Sequence, residues 1–305
     1  MARTIKYGRP LKNFVRVGPA DIAYMREGDP QMPTVLFLHG ATTNSALWQK
    51  VLKQTNERLD AIAIDLPGMG DTDISPYEDF SVPSIAELVM ELLERMSLED
   101  VTFVAHDYGG AVAQIIAAGH PDLVKNLVLV DSVSRDHWPI PLARQAQRLA
   151  RLPGTAELLR AGRFIENSRI GWKLATGPLG FARGYYNPDV IDADLIREYL
   201  RPLTEREGRE RARHIGLSAD SRCTTEILAK LRQYDRPCRV LWGADDKFLS
   251  PSWGIELAGD IPSAEFYLLP YCGHFAPDER PELVARHVVE VVEGRPATDE
   301  PLSAA

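Results

Sequence analysis

Short runs of β-branched and other apolar residues alternate along the chain with stretches of helical periodicity, and this alternation constrains the fold most. The apolar runs lie at 34–38, 60–64, 101–105, 126–130, 238–243 and 264–269. Runs this short and continuous predict strands buried on both faces, and the helical stretches between them predict β-α-β crossovers. The sequence therefore predicts an α/β fold, with helices covering both faces of a mostly parallel sheet.

The alternation is interrupted over 135–223, where the sequence is helical in pattern, poor in strands and rich in arginine. We predict a sheet domain made of two parts, 1–134 and 224–294, with an inserted α-helical cap over 135–223 and a disordered tail over 295–305. Two independent domains are disfavoured because neither half alone supplies enough strands for a covered sheet. The cap arginines predict either a solvated helical face or a contact that selects an anionic substrate.

The charge balance disfavours two classes of partner. The chain has 35 Lys and Arg against 43 Asp and Glu, a formal net charge of -8, which repels nucleic acid and anionic lipid headgroups. No apolar run approaches the roughly 20 residues that span a bilayer, and the first ten residues lack the apolar stretch of a secretion signal. We expect a cytoplasmic protein, monomer or homodimer, that binds a small molecule rather than nucleic acid or a membrane.

The most informative motif is Ala-His-Asp-Tyr-Gly-Gly at 105–110, between a predicted strand and a predicted helix. Small residues around its centre allow a sharp turn, which pushes the central side chain of Asp107 out above the sheet edge. A helix N-terminus also favours negative charge. The motif predicts a reactive carboxylate at Asp107, and the alternative is a residue that only caps the helix.

This motif resembles the nucleophile elbow of the α/β-hydrolase family, whose usual form is Gly-x-Ser-x-Gly. Ala105 stands here in place of the first glycine, and Asp107 in place of the serine. The resemblance implies an α/β-hydrolase fold over about 15–292.

His39 and Gly40, directly after the run at 34–38, resemble the part of the same family that completes an oxyanion hole. The resemblance implies that the backbone N–H groups of Ala41 and Tyr108 face the nucleophile. The side chain of His39 is a candidate for substrate binding, and the alternative is a structural hydrogen bond within the turn.

In this family the nucleophile is followed along the chain by an acid and then by a histidine. Asp246 follows the run at 238–243, and His274 follows the run at 264–269. The carboxyl ends of parallel strands collect at one sheet edge, so these residues and Asp107 are expected to converge. Asp131, after the run at 126–130, is the alternative acid.

An aspartate nucleophile implies attack on saturated carbon, because attack on an acyl carbon would give an unproductive anhydride. The resemblance is therefore to the subgroup of epoxide hydrolases and haloalkane dehalogenases. In these enzymes the carboxylate forms an alkyl ester, which water activated by the histidine and its acid then hydrolyses. Asp107, Asp246 and His274 would take these roles, with no cofactor and no metal ion.

The substrate depends on what stabilises the leaving group. Haloalkane dehalogenases hold the halide with side-chain donors that commonly include the positions of Ala41 and Tyr108; here Trp138 or Trp172 would have to substitute. Epoxide hydrolases protonate the alkoxide with cap tyrosines, and the candidates are Tyr185, Tyr186 and Tyr199. An alkoxide needs a proton donor more than a halide does, so the sequence favours epoxide hydrolysis over dehalogenation. A cofactor-free lyase or isomerase and a non-catalytic ligand receptor are further alternatives.

Overall fold

The computed structural model describes residues 11–151, 173, 175–178 and 180–299. In this part of the chain eight strands form one sheet, in the order β1-β2-β4-β3-β5-β6-β7-β8. The strands are β1 Asn13–Val17, β2 Ala20–Glu27, β3 Thr34–Leu38, β4 Asp60–Ile64, β5 Val101–His106, β6 Val124–Val130, β7 Cys238–Gly243 and β8 Ala264–Leu269.

Helices connect the strands and cover both faces of the sheet. Their bounds are α1 Gln49–Thr55, α2 Val82–Arg95, α3 Tyr108–Gly119, α4 Pro141–Ala150, α5 Ala193–Leu200, α6 Arg206–Ser218, α7 Arg222–Glu226, α8 Leu228–Leu231, α9 Pro251–Asp260, α10 Ala276–Glu279 and α11 Pro281–Val292. None of the helices in the described ranges is long and apolar enough to cross a membrane.

The sheet is parallel from β3 to β8 and antiparallel at the β1–β2 edge. All six strands predicted from apolar runs are present within one or two residues, which confirms the α/β class. The sequence did not predict the edge strand β1 or its neighbour β2, because Arg16, Asp21 and Arg26 interrupt their apolar residues and leave no continuous apolar run.

Two apolar cores lie on opposite faces of the sheet. Neighbouring residues of β3 point to opposite faces, so Leu36 joins one core and Val35 the other. The helices α2 and α3 cover the first face, while α1 and α11 cover the second. Burial on both faces makes the sheet a rigid support for the loops at its carboxyl edge.

The described residues between β6 and β7 contain helices α4 to α8 and no strand. This is the region predicted as a cap, although part of it lies outside the described residues. The predicted boundary at 223 falls inside α7, which contacts α3 of the sheet domain, as α8 also does.

Candidate active site

Asp107 lies at a sharp turn between β5 and α3, with φ +48° and ψ −116°. A side chain rarely adopts this backbone conformation, and the close packing around the turn holds it there. A Cβ atom on Gly109 would lie 2.5 Å from the carbonyl oxygen of His39, and one on Gly110 would lie 1.8 Å from Ser132 Oγ. The two glycines therefore allow the turn to sit against its neighbours and to project the Asp107 carboxyl outward.

The Asp107 carboxylate occupies the predicted oxyanion hole. Its Oδ1 accepts a hydrogen bond of 2.8 Å from the backbone N–H of Ala41, and the backbone N–H of Tyr108 also donates to the carboxylate. A Cβ atom on Gly40 would lie 2.7 Å from Asp107 Cβ, so only glycine fits there. Burial raises the pKa of Asp107, while the charge of His274 and these two N–H groups oppose the rise.

His274 and Asp246 form a hydrogen-bonded pair beside this carboxylate. His274 Nδ1 lies 2.8 Å from Asp246 Oδ2, and its Nε2 lies 3.9 Å from Asp107 Oδ2. Asp246 Oδ1 accepts from the backbone N–H groups of Phe248 at 2.7 Å and Leu249 at 3.0 Å, which fixes the carboxylate. The pair therefore presents Nε2 of the imidazole toward the Asp107 carboxylate.

The surrounding carboxylates set the protonation of His274. Burial lowers its pKa, but the charge and hydrogen bond of Asp246, together with the charge of Asp107, outweigh burial and raise the pKa to about 9. A change in the charge of either of these carboxylates would therefore change the basicity of the imidazole.

Asp131, the alternative acid, is fully buried after β6. Its Oδ1 accepts a hydrogen bond of 2.7 Å from the backbone N–H of Gly243, and the backbone N–H of Ala276 also stabilises the charged form. Burial, followed by the charge of Asp246, raises its pKa well above the usual value. Asp246, and not Asp131, is thus the carboxylate hydrogen-bonded to His274, and Asp131 lies nearby as a group that favours its neutral form.

His106 packs against His274, a contact that the sequence pattern does not predict. Its Nε2 lies 2.8 Å from the carbonyl oxygen of His274, and the two ring centroids are 4.7 Å apart. Because a carbonyl oxygen only accepts, Nε2 carries the proton. Burial and the charge of His274 hold the pKa of His106 well below its usual value, so the ring is neutral. Its place beside the nucleophile in the sequence was the available signal.

The side chain of His39 is engaged inside the oxyanion loop. Its Nδ1 donates to the carbonyl oxygen of Gly40 at 2.8 Å, and its Nε2 accepts from the backbone N–H of Leu66 at 2.9 Å. The residue is buried, which lowers its pKa to about 4. Both ring nitrogens are therefore used to hold the loop that carries Ala41, which favours the structural alternative over substrate binding.

The structure shows the surroundings of three aromatic residues that are predicted to bind the substrate. Trp138 Nε1 donates to Thr224 Oγ1 at 2.8 Å. Tyr185 donates its hydroxyl to Asp278 Oδ2 at 2.9 Å. Tyr186 is 43% exposed.

Tyr199 is buried, and its hydroxyl has no hydrogen-bond partner in the described part of the chain. Burial raises its pKa well above the usual value, so the hydroxyl keeps its proton. Near the nucleophile, Tyr108 donates its own hydroxyl to the carbonyl oxygen of Phe80 at 3.3 Å. Trp172 lies outside the described residues.

Within the described ranges, no group of three or more His, Cys, Asp and Glu side chains is arranged to hold a metal ion. The structure thus brings together Asp107, which accepts from two backbone N–H groups, and His274, which is hydrogen-bonded to Asp246.

Comparison with known proteins agrees with this architecture. A family model described as alpha/beta hydrolase fold matches residues 33–281. An uncharacterized hydrolase of Bacillus subtilis is 23% identical over 286 residues, 93% of this chain and 98% of that protein. A soluble epoxide hydrolase of Corynebacterium sp. is 28% identical over 259 residues, 83% of this chain and 87% of that protein.

Among solved structures, the haloalkane dehalogenase DbeA of Bradyrhizobium elkani superposes with a TM-score of 0.76 at 22% identity, covering 93% of this chain and 98% of that one. This likeness extends over the sheet and its helices. It is a likeness of fold, and the match to the family model over most of the sequence shows that the chain belongs to the α/β-hydrolase fold family.

Proposed function

We propose that this protein is a hydrolase that acts at saturated carbon through an alkyl ester on Asp107. The observation that carries the proposal is the carboxylate at the elbow, with Oδ1 held by Ala41 N–H and with the His274–Asp246 pair beside Oδ2. A carboxylate in this place suits nucleophilic displacement.

In the first step, Asp107 Oδ2 forms a bond to the substrate carbon while the bond from that carbon to the leaving group breaks, and the leaving group keeps the electron pair. This step requires an ionised Asp107 and no proton transfer to His274. The N–H groups on Oδ1 keep the carboxylate oriented for attack.

In the second step, His274 Nε2 takes a proton from water, and the hydroxide adds to the ester carbonyl carbon of Asp107. The oxyanion that forms on Oδ1 is stabilised by the backbone N–H groups of Ala41 and Tyr108. Collapse breaks the ester bond, returns the carboxylate and releases the alcohol, which receives the proton. Asp246 stabilises the imidazolium between these transfers.

We infer that the substrate is an epoxide. A relative covering 83% of this chain is described as a soluble epoxide hydrolase. The halide donors of dehalogenases have no counterpart at Ala41, and the Trp138 indole N–H is bound to Thr224. Tyr199, with a neutral and unengaged hydroxyl among the described residues, is the candidate proton donor to the opened ring.

Haloalkane hydrolysis is the second candidate, and the fold likeness to the dehalogenase DbeA favours it. The two reactions share both chemical steps and differ in the group released. Epoxide opening leaves the oxygen on the product as a diol, whereas dehalogenation releases a halide ion.

The decisive experiment uses His274→Gln, which keeps the nucleophile and removes the base for the second step. We expect the ester to accumulate during incubation with a panel of epoxides and haloalkanes. An epoxide would raise the mass of the Asp107 peptide by its full mass, and a haloalkane by its mass less that of the hydrogen halide. Diol and halide assays on the unsubstituted enzyme would identify the productive class.

The matched control is the double variant with Asp107→Asn, which should show no adduct. If the unsubstituted protein turns over compounds of the panel but His274→Gln forms no adduct, the ester mechanism is contradicted and a lyase or isomerase is favoured. Binding without turnover of any compound would favour a ligand receptor.

A further inference from the structure

Residues 181–187, here called the strap, lie in backbone contact with the loop that carries His274. The backbone N–H of His274 donates to the carbonyl oxygen of Gly184 at 2.6 Å. A Cβ atom on Gly273 would lie 2.2 Å from the same oxygen and 2.8 Å from Tyr186 N. The strap belongs to the region predicted as a cap, so this contact joins that region directly to the catalytic loop.

One carboxylate ties these two segments together. Glu279 Oε2 accepts from the backbone N–H of Gly273 at 2.7 Å. Its Oε1 accepts from the strap, from Tyr186 N at 2.9 Å and Asn187 N at 3.3 Å. Burial raises the pKa of Glu279, and the three N–H groups oppose the rise because they stabilise the charged form. A single half-buried side chain thus satisfies three backbone donors on two separate segments.

The neighbouring residue reinforces the same joint. Asp278 Oδ2 accepts from the hydroxyl of Tyr185, and its Oδ1 lies 2.7 Å from Lys50 Nζ. The ring of Tyr185 packs against Phe275 with centroids 4.9 Å apart. Tyr185 of the strap therefore contacts two residues that follow His274: its hydroxyl binds Asp278, and its ring packs on Phe275.

The peptide of His274 is fixed on both sides as a result. Its N–H binds the strap at Gly184, while its carbonyl oxygen binds His106 Nε2 beside the nucleophile. Asp246 orients the imidazole through its hydrogen bond with Nδ1. A displacement of the strap would consequently move the backbone of His274 and change the path from Nε2 to the ester carbonyl.

We propose that Glu279 is a positioning residue for the ester-hydrolysis step, holding the strap against the His274 loop so that Nε2 points at the attacking water. This inference rests on the function proposed above. The first step uses the ionised Asp107 and, for an epoxide, a proton donor such as Tyr199, but it does not use the His274 base. The loss of Glu279 should therefore slow ester hydrolysis and leave ester formation almost unchanged.

The first arm of the test measures hydrogen–deuterium exchange in the resting protein. Glu279→Gln keeps the size of the side chain but replaces one acceptor oxygen with an amide that faces N–H donors. We expect faster exchange at 273–274 and 186–187. Glu282→Gln, an equal charge change at an exposed site on α11, is the control and should leave both segments unchanged. Unchanged exchange in Glu279→Gln would overturn the proposal.

The second arm separates the two chemical steps by rapid quenching and intact mass measurement. In Glu279→Gln the rate constant of ester hydrolysis should fall by roughly 10-fold to 100-fold, as expected for a small misplacement of a catalytic group. Ester formation should stay within about 2-fold, and the ester should accumulate. Equal slowing of both steps, or a lower melting temperature with both rate constants unchanged, would overturn the positioning role.

The two arms also distinguish this inference from the proposed function. If the unsubstituted protein and His274→Gln both fail to form an ester, the proposed function fails and the hydrolytic role of Glu279 fails with it. Exchange in the resting protein would still show whether Glu279 joins the strap to the loop, because that measurement requires no substrate.

Discussion

The carboxyl edge of the sheet and the region predicted as a cap place their functional candidates in different ways. At the sheet edge, Asp107, Asp246 and His274 each follow a parallel strand within five residues, and each lies beside its expected neighbour. In the inserted region, Trp138 and Tyr185 bind other protein groups instead. The position of a functional side chain can be predicted from sequence where a short turn leaves the backbone little freedom. It is much harder to predict where helices pack on one another.

The largest expected effect on activity in this comparison comes from substituting the two acidic residues at the sheet edge, Asp246 and Asp131. Asp246→Asn should slow ester hydrolysis by roughly 10⁴-fold, because the imidazole loses the partner that fixes its tautomer and stabilises its charge. Asp131→Asn should stay within about 10-fold, since a neutral amide resembles the protonated carboxyl that burial favours there. Single-turnover decay of the ester would measure both.

Circular dichroism of the two variants is the control, as both substitutions conserve size and remove a carboxylate. The reverse ranking, with Asp131→Asn the more severe, would assign the catalytic acid to β6 and would show that the observed hydrogen bond of His274 is a poor guide to its function.

The pH dependence tests whether the charges around His274 act as the geometry suggests. Alkylation makes Asp107 neutral and removes one of the charges that raise the pKa of His274, so this pKa should lie below about 9 in the ester intermediate. Because His274 acts as a base, ester hydrolysis should rise by about tenfold per pH unit below that pKa and level off above it.

Ester formation should have a different profile. It requires ionised Asp107 and so falls at low pH, through a pKa that burial raises above the usual carboxyl value. Rapid-quench rate constants between pH 5 and pH 10, a range set by these ionisations, would give both profiles. An ester hydrolysis rate that is independent of pH throughout would contradict the role of His274 as the base.

The smallest effect on chemistry is expected in the inserted region. Tyr185→Phe removes the hydroxyl that donates to the buried Asp278, leaving Lys50 as its ion-pair partner. We expect a stability loss of about 2 kcal/mol by denaturant unfolding, since a buried acceptor loses its donor. The steady-state rate should stay within about 3-fold if this hydroxyl does not touch the substrate.

Tyr199→Phe is the matched comparison, because its hydroxyl has no partner among the described residues. A rate loss in Tyr185→Phe that exceeds the loss in Tyr199→Phe would reverse the assignment of the proton donor and restore Tyr185 as a substrate contact.

The sequence predicted the sheet from β3 to β8 because these strands form short, mostly apolar runs, and all of them except the edge strand β8 are largely buried on both faces. It also placed Asp107, Asp246 and His274 at the ends of those strands. The strands β1 and β2 were not predicted, because charged residues interrupt their apolar runs.

Other parts of the site could not be predicted because they depend on contacts between distant segments. His106 binds a carbonyl 168 residues away, and Glu279 binds backbone N–H groups 92 and 93 residues away. Neither residue has a local pattern that reveals its partner. The role of His39 was open for the same reason, because its acceptor nitrogen binds Leu66 on a different loop.

The Asp107 carboxylate has a consequence for what the enzyme would reject. Its Oδ1 already occupies the N–H groups where a serine hydrolase would receive the carbonyl oxygen of an ester substrate. The carbonyl oxygen of an ester or amide substrate could not bind these donors, because they already bind Asp107 Oδ1. Attack on a saturated carbon needs only Oδ2. Under the proposed mechanism, the resting structure would thus favour a saturated carbon over an acyl carbon, because Asp107 itself occupies the two N–H donors.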